Sequence, residues 1–170
     1  MADGLTLYKL ILLYTLRKVN FPLSNSQLTE LMIEKEYTDY FHVQEALSDL
    51  VSANLATVET VRNTSKYTAT MDGEKTLEYF SSEIPYVIKR DIDTYLRENA
   101  FELRNESCMV ADWKLSDDGG CTVSCKVNEG KETIISLTIN VTTPAEAERV
   151  CEKWPQKAQE LYLEIMTQLL

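Results

Sequence analysis

Histidine is almost missing from this chain. Its 170 residues hold one, His42, with four cysteines, five glycines and four prolines. Each shortage excludes something. A structural zinc site normally takes four Cys or His ligands at close spacing. Cys121 and Cys125 have no second close pair, and Cys108 and Cys151 stand alone, so no metal and no cofactor is expected. The four read as small buried hydrophobes. Few glycines and prolines in a chain 44% hydrophobic exclude a disordered protein and allow a sizeable core. No apolar run of about twenty residues exists, so no membrane span is expected. The start, Met1-Ala2-Asp3-Gly4-Leu5, has an acid where a secretory signal carries a base. Leu10-Ile11-Leu12-Leu13 leads into Arg17-Lys18 without a small-residue cleavage site. The expected location is cytoplasmic.

Catalytic patterns are absent as well. There is no Gly-rich phosphate loop, no Ser-x-x-Lys and no paired-carboxylate motif. Spacing gives His42 neither a nucleophile nor an orienting partner. No catalytic residue is expected, and the chain reads as a non-enzyme. Positive charge is also scarce, with a net charge of -10. The first eighty residues hold 7 Lys/Arg against 11 Asp/Glu, and the rest 10 against 16. Nucleic-acid binders usually show a basic footprint. Any DNA contact must then come from a local patch, and non-specific affinity should be weak and salt-sensitive.

What is present is organised around residues 24–80. Ser24 with Gln27 forms a capping box that opens a helix marked by Leu28, Leu31 and Met32. Tyr37-Thr38-Asp39 interrupts the pattern, and Thr38 or Asp39 can cap a second helix. That helix puts Val43, Ala46, Leu47, Leu50 and Val51 on one stripe, and Asn54 suits a left-handed end. Its other face is polar: His42, Gln44, Glu45, Ser48, Asp49 and Ser52. Two β-rich runs follow, 57–61 and 66–70, around a turn-rich tip at Arg62-Asn63-Thr64-Ser65. Asp72-Gly73 then turns the chain into a helix through Leu77, Tyr79 and Phe80.

This order resembles a winged helix-turn-helix domain. Residues 43–55 look like a recognition helix leading into a wing strand. Tyr67-Thr68-Ala69-Thr70-Met71-Asp72-Gly73, with Leu77, is similar to the Y-x-L-T-x-x-G-x-x-x-L closure of bacterial regulators of the PadR and MarR kind, with Ala69 in place of the usual leucine. The whole chain is also similar to a bacterial family of domain-of-unknown-function type, winged-helix regulators with an α+β domain after the wing. The resemblance implies double-stranded DNA as a partner. It places candidate contacts at Thr38, Tyr40, His42, Gln44, Glu45 and Ser48 on the helix, and at Arg62, Asn63, Ser65 and Lys66 on the wing. Gln44 and His42 are chemically able to read base edges. Arg62 and Lys66 are the bases nearest the motif, fit either to straddle phosphates or to keep a strand edge soluble.

The flanking segments complete an α+β fold. Residues 5–19 form a helix apolar on several faces, which needs cover beyond a small winged-helix core, from the C-terminal domain or a second subunit. Ser81 to Pro85 reads as a joint between domains 1–83 and 84–170. A helix follows with Ile84, Ile88, Ile92, Tyr95 and Leu96 on one face. Three strands come next, with apolar residues at odd positions: 109–115, 121–127 and 135–141. Three-residue loops closed by left-handed glycines, Asp117-Asp118-Gly119 and Asn128-Glu129-Gly130, keep odd paired with odd, with Leu115 facing Cys121 and Val127 facing Lys131. Thr143-Pro144 opens a last helix, whose stripe runs from Ala147 through Trp154 to Leu169. Pro155 inside it predicts a kink. Trp113, Trp154 and Tyr162 either line a ligand pocket or form plain core.

Two functions fit this chain. One is a DNA-binding regulator, dimeric because of its surplus apolar surface, whose C-terminal domain pairs subunits or senses a small-molecule effector. The other is a winged-helix module that docks on another protein. If the two domains of one chain bury the surplus against each other, no dimer is needed. A positive stripe under the 39–54 helix separates the two functions in favour of DNA.

Overall fold

The computed structural model describes residues 4–130 and 132–170. The fold is α+β, with seven α-helices and two three-stranded antiparallel sheets among those residues. No helix among them is long and apolar enough to cross a membrane. The chain divides into two compact units between Leu103 and Arg104, where the sequence suggested a joint at 83–84.

The first unit opens with helix α1 (Gly4–Lys18), in which Leu10, Ile11, Leu12, Leu13 and Leu16 are buried. The extra cover this helix demands comes from inside the unit. Helix α5 (Tyr86–Glu98), read from the sequence as part of the second domain, brings Ile92 and Tyr95 into the same core. Asp93 of α5 accepts from the Tyr14 hydroxyl at 3.0 Å and pairs with Lys18 at 3.2 Å. The α1 surplus therefore no longer argues for a second subunit.

Strand β1 (Leu23–Ser24) is too short to show in the sequence, and it pairs with Tyr67 and Lys66. Ser24 is also the cap of α2 (Asn25–Glu34). Its hydroxyl accepts from the Gln27 N–H at 3.1 Å, and its own N–H donates to Gln27 Oε1 at 2.9 Å. The helix stops at Glu36, which has left-handed backbone (φ 54°). The Tyr37 N–H closes back on the Met32 carbonyl at 2.9 Å. Glycine is the residue suited to that position. Relieving the strain outweighs the glycine entropy, so Glu36→Gly should stabilise the unit by about 0.5–1 kcal/mol. A higher urea midpoint would show it, and an unchanged or lower one would contradict it.

Helix α3 (Tyr40–Ser52) starts at Asp39 and ends through Asn54 at φ 57°. The Leu55 N–H bonds to the Leu50 carbonyl at 2.8 Å, and the Asn54 N–H to that of Val51 at 3.0 Å. Strands β2 (Ala56–Val61) and β3 (Thr64–Ala69) then form a hairpin with a turn tighter than expected. Val61 pairs with Thr64, so only Arg62 and Asn63 turn. Both have positive φ, 49° and 61°, the pattern of a type I′ turn.

Gly73 does not turn the chain. It is the third residue of α4 (Met71–Phe80), whose cap is Thr70. The Thr70 hydroxyl accepts from the Gly73 N–H at 3.0 Å and donates to the Asn54 carbonyl at 2.7 Å. Gly73 is buried against Leu55, and a Cβ there would stand 2.0 Å from the Leu55 carbonyl oxygen. The closure motif thus fastens the end of α3 to the start of α4. A 3₁₀ turn (Ser81–Glu83) leads to α5. Helix α6 (Ala100–Cys108), which the sequence did not suggest, contains the division between units.

The second unit is the meander β4 (Met109–Leu115), β5 (Cys121–Glu129) and β6 (Glu132–Val141), in that spatial order, with α7 (Pro144–Leu169). The first hairpin is as expected: Leu115 faces Cys121, and Gly119 has φ 86°. The second reaches the expected face by another route. Glu129 pairs with Glu132 and Asn128 with Thr133, so the tip pairs odd with even. A bulge follows, leaving Ile134 as the extra residue and restoring Val127 to Ile135. Gly130 has φ 59°. Val127, expected to face Lys131, faces Ile135 instead, and Lys131 itself lies outside the described residues. Without the bulge the Ile135-Leu137-Ile139 face would turn away from α7.

Helix α7 begins with a capping box between Thr143 and Glu146, and Pro155 continues it while contributing no N–H to the ladder. Glu146 accepts from the Thr142 hydroxyl and from the Thr142 and Thr143 N–H groups, which holds its carboxyl below the usual carboxylate range. Ala147, Cys151, Trp154 and Ala158 pack on Ala111, Cys121, Val123 and Cys125. Trp154 Nε1 donates to the Lys126 carbonyl at 3.0 Å, and Trp113 Nε1 to Glu148 at 2.7 Å, so both indoles tie helix to sheet as core. All four cysteines are buried free thiols, and burial pushes that of Cys125 up to about 11.

Candidate nucleic-acid interface

The stripe Val43, Ala46, Leu47 and Leu50 is fully buried, which fixes what α3 shows to solvent. Opposite it stand Phe41, Glu45, Ser48 and Ser52, spaced four, three and four residues apart, all exposed. Phe41 is 80% exposed, and its ring meets Tyr40 edge to face at 5.7 Å. Phe41 lies outside the apolar stripe, and that is the signal in the sequence that it points outward. Tyr40 is half exposed, and Thr38 lies half-buried before the cap.

His42 is tied to the start of the helix. Its N–H and its ring Nδ1 both meet Asp39 Oδ1, at 3.0 and 2.9 Å. The His42 backbone N–H is the main cause that holds the Asp39 carboxyl below its ordinary range. The imidazole also stands edge-on to Tyr8, with centroids 6.1 Å apart.

Gln44, expected to read a base edge, faces α2 instead. It exchanges two hydrogen bonds with Asn25, at 2.7 and 3.0 Å, and donates a third to Thr29 at 3.1 Å. Thr29 donates back to Asn25, and Asn25 reaches the Tyr67 hydroxyl. This half-buried network joins α2, α3 and β3. Removing its centre leaves Asn25 and Thr29 short of partners, so Gln44→Ala should cost about 1–2 kcal/mol of stability. A side chain that read bases would change sequence preference and leave the urea midpoint alone.

The hairpin carries the other candidates. Arg62 and Asn63 are exposed at the turn. Ser65 meets the Thr60 hydroxyl at 3.2 Å, and Lys66 is half-buried, in register with Glu59 and Ser24. The tip lies roughly 20 Å along β2 from the end of α3, at about 3.3 Å per residue. The candidates therefore form two groups, a helix face and a hairpin tip. Helix α3 contains no lysine or arginine. Lys9, the cation beside it, is paired with Asp49 at 3.2 Å. Among the described residues, no group of three or more His, Cys, Asp or Glu is placed to hold a metal.

The chain belongs to the family described as a domain of unknown function, DUF4364, whose model matches residues 8–169. No curated protein and no solved structure matches the chain.

Proposed function

We propose that the first unit is a winged helix-turn-helix, with α2 and α3 as the helix pair and β2–β3 as the wing, and that it serves as a protein-interaction module. One observation carries this reading: the outward face of α3 offers an exposed phenylalanine, two serines and a carboxylate, and no cation. DNA affinity is dominated by neutralisation of phosphates. An acidic helix face opposes it, and engaging Gln44 inward removes the side chain best suited to adenine. An exposed aromatic amid polar neighbours is instead the usual anchor of a protein interface. The partner would offer an apolar pocket for Phe41 with a basic rim toward Glu45. The second unit would pair subunits or sense an effector, no step of catalysis is assigned, and the site of action is cytoplasmic.

A second reading is a DNA-binding regulator of the kind its likeness to winged-helix proteins implies. The observation favouring it is Arg62 at the exposed turn with Lys66 on the strand that follows it. Fluorescence anisotropy with pooled genomic duplexes separates the two. On the first reading, binding at physiological salt is no tighter than about 10⁻⁴ M, the weak end of non-specific affinity. A photo-crosslinking residue at Phe41 should then trap one protein in cells, and Phe41→Asp, tested against that protein, should lose it. Tight binding whose salt slope flattens by roughly two in Arg62→Ala/Lys66→Ala would establish the second reading and overturn the first.

A further inference from the structure

The sheet of the second unit has two edges, β4 and β6, and they are not alike. Strand β4 carries Asp112 and Lys114 in its length, charges of the kind that stop an edge from recruiting another strand. Strand β6 runs ten residues, and from Thr133 to Val141 it has no charge and no proline. Ile134 is 44% exposed and Ile139 is 36% exposed. Among the described residues no strand pairs with its outer edge. A strand this long and uncharged is a template for main-chain pairing.

We propose that β6 pairs antiparallel with β6 of a second copy of the chain across a two-fold axis, making one six-stranded sheet. The inference is independent of what the first unit binds. Self-pairing suits β6 because it sets no like charges against each other between residues 133 and 141. Strand β4 offers no such uncharged run, since Asp112 and Lys114 interrupt it. The register follows from the covered face. Ile135 and Leu137 lie on the face that α7 packs, so odd residues must oppose odd ones. The axis then passes through a residue. Centred on Leu137, it sets Ile135 against Ile139 of the second copy and Ser136 against Thr138.

Charge complementarity supports this centre. It carries Glu132 of each copy to the Asn140–Thr142 end of the other. A groove there is lined by Arg149 and Lys153, one turn apart on α7, with Val141 and Val150 between. Glu146 also lines it, but its carboxylate is occupied by Thr142 and Thr143. Neither Arg149 nor Lys153 is held in an ion pair among the described residues. An acid arriving at the end of the strand would meet two available cations, twice per dimer by symmetry.

Sedimentation equilibrium of the full chain at micromolar concentration tests the proposal. The expected mass is twice 19.5 kDa. Thr138→Lys, at an exposed position next to the axis, should give a monomer with an unchanged circular dichroism spectrum. Glu132→Lys should weaken self-association by roughly three- to tenfold, two exposed ion pairs being lost. Glu132→Lys with Arg149→Glu and Lys153→Glu should restore it. If Thr138→Lys fails to fold, the charge exchange decides alone. A wild-type mass near 19.5 kDa would overturn the proposal. So would a dimer that Thr138→Lys, correctly folded, leaves intact, or one indifferent to the charge reversal.

Discussion

Putting a methyl group on Gly73 is expected to destabilise the first unit by about 3 kcal/mol, although alanine is the better helix former. In an open helix the change would gain about 1 kcal/mol. Here the new carbon would stand 2.0 Å from the Leu55 carbonyl oxygen and 3.2 Å from Leu13. Backbone cannot rotate away as a side chain can, so either α4 or the end of α3 must move. The Leu55 carbonyl also accepts from the Thr70 N–H at 3.0 Å, so moving it loosens the cap of α4. Urea unfolding followed by far-ultraviolet circular dichroism would show an earlier transition for Gly73→Ala. Both tryptophans, Trp113 and Trp154, lie in the second unit. Their emission reads that unit separately, and any shift in it measures coupling between the two. An unmoved dichroism transition would mean that the close approach of α4 to Leu55 does not exist.

Trp154→Ala should have the larger effect, a loss of about 3–5 kcal/mol from the second unit. The fully buried residues of that core are otherwise small: three alanines, three cysteines and Val123. The indole therefore fills most of the space between α7 and the sheet, and its removal leaves a cavity that alanines and thiols cannot close. The Lys126 carbonyl also loses its donor. A unit of 67 residues, at 0.05–0.15 kcal/mol per residue, has about 3–10 kcal/mol in all. The loss is therefore at least about a third of that total, and at the low end of the range it unfolds the unit at room temperature. Trp154→Phe keeps the ring and gives up mainly the hydrogen bond, so its loss should stay near 1–2 kcal/mol. Emission from the remaining Trp113 during urea titration separates the outcomes. Equal losses in the two variants would show that the hydrogen bond matters and the volume does not.

The features legible in the sequence were those with local causes. Ser24 with Gln27, Asp39, Asn54, Thr143 with Pro144, and Gly119 act within a few residues of themselves, and each stands where the sequence put it. The odd-numbered apolar face was legible because strand periodicity is two. The way the second hairpin preserves it was not, since a bulge at Ile134 looks like any other β-branched residue. Strand β1 exists only because β3 accepts it. Helix α6 is nine residues long and mostly polar, with Ala100, Phe101, Leu103 and Cys108 as its apolar residues, so no continuous stripe announced it. Gly73 after an aspartate looks like a turn, and only the approach of the Leu55 carbonyl, eighteen residues away, shows otherwise. Gln44 misled for the same reason. Its partners Asn25 and Thr29 lie nineteen and fifteen residues back, on a helix whose distance no pattern encodes. The outward face of α3 was the part of the candidate site most open to inspection, because a buried stripe fixes its opposite.

The burial of all four thiols makes the second unit its own clock. Cys108, Cys121, Cys125 and Cys151 all lie beyond residue 103, and the first unit contains none. A thiol-reactive dye cannot reach a closed core, so each cysteine is modified only during the moments when its surroundings open. When reclosing is faster than labelling, the modification rate of a site divided by that of an exposed thiol is the fraction of time it spends open. Cys121, Cys125 and Cys151 sit in one core with α7 across the sheet. A shared rate at those three would mark helix and sheet as a single cooperative unit. A faster rate at Cys151 would show α7 lifting away while the strands stay paired.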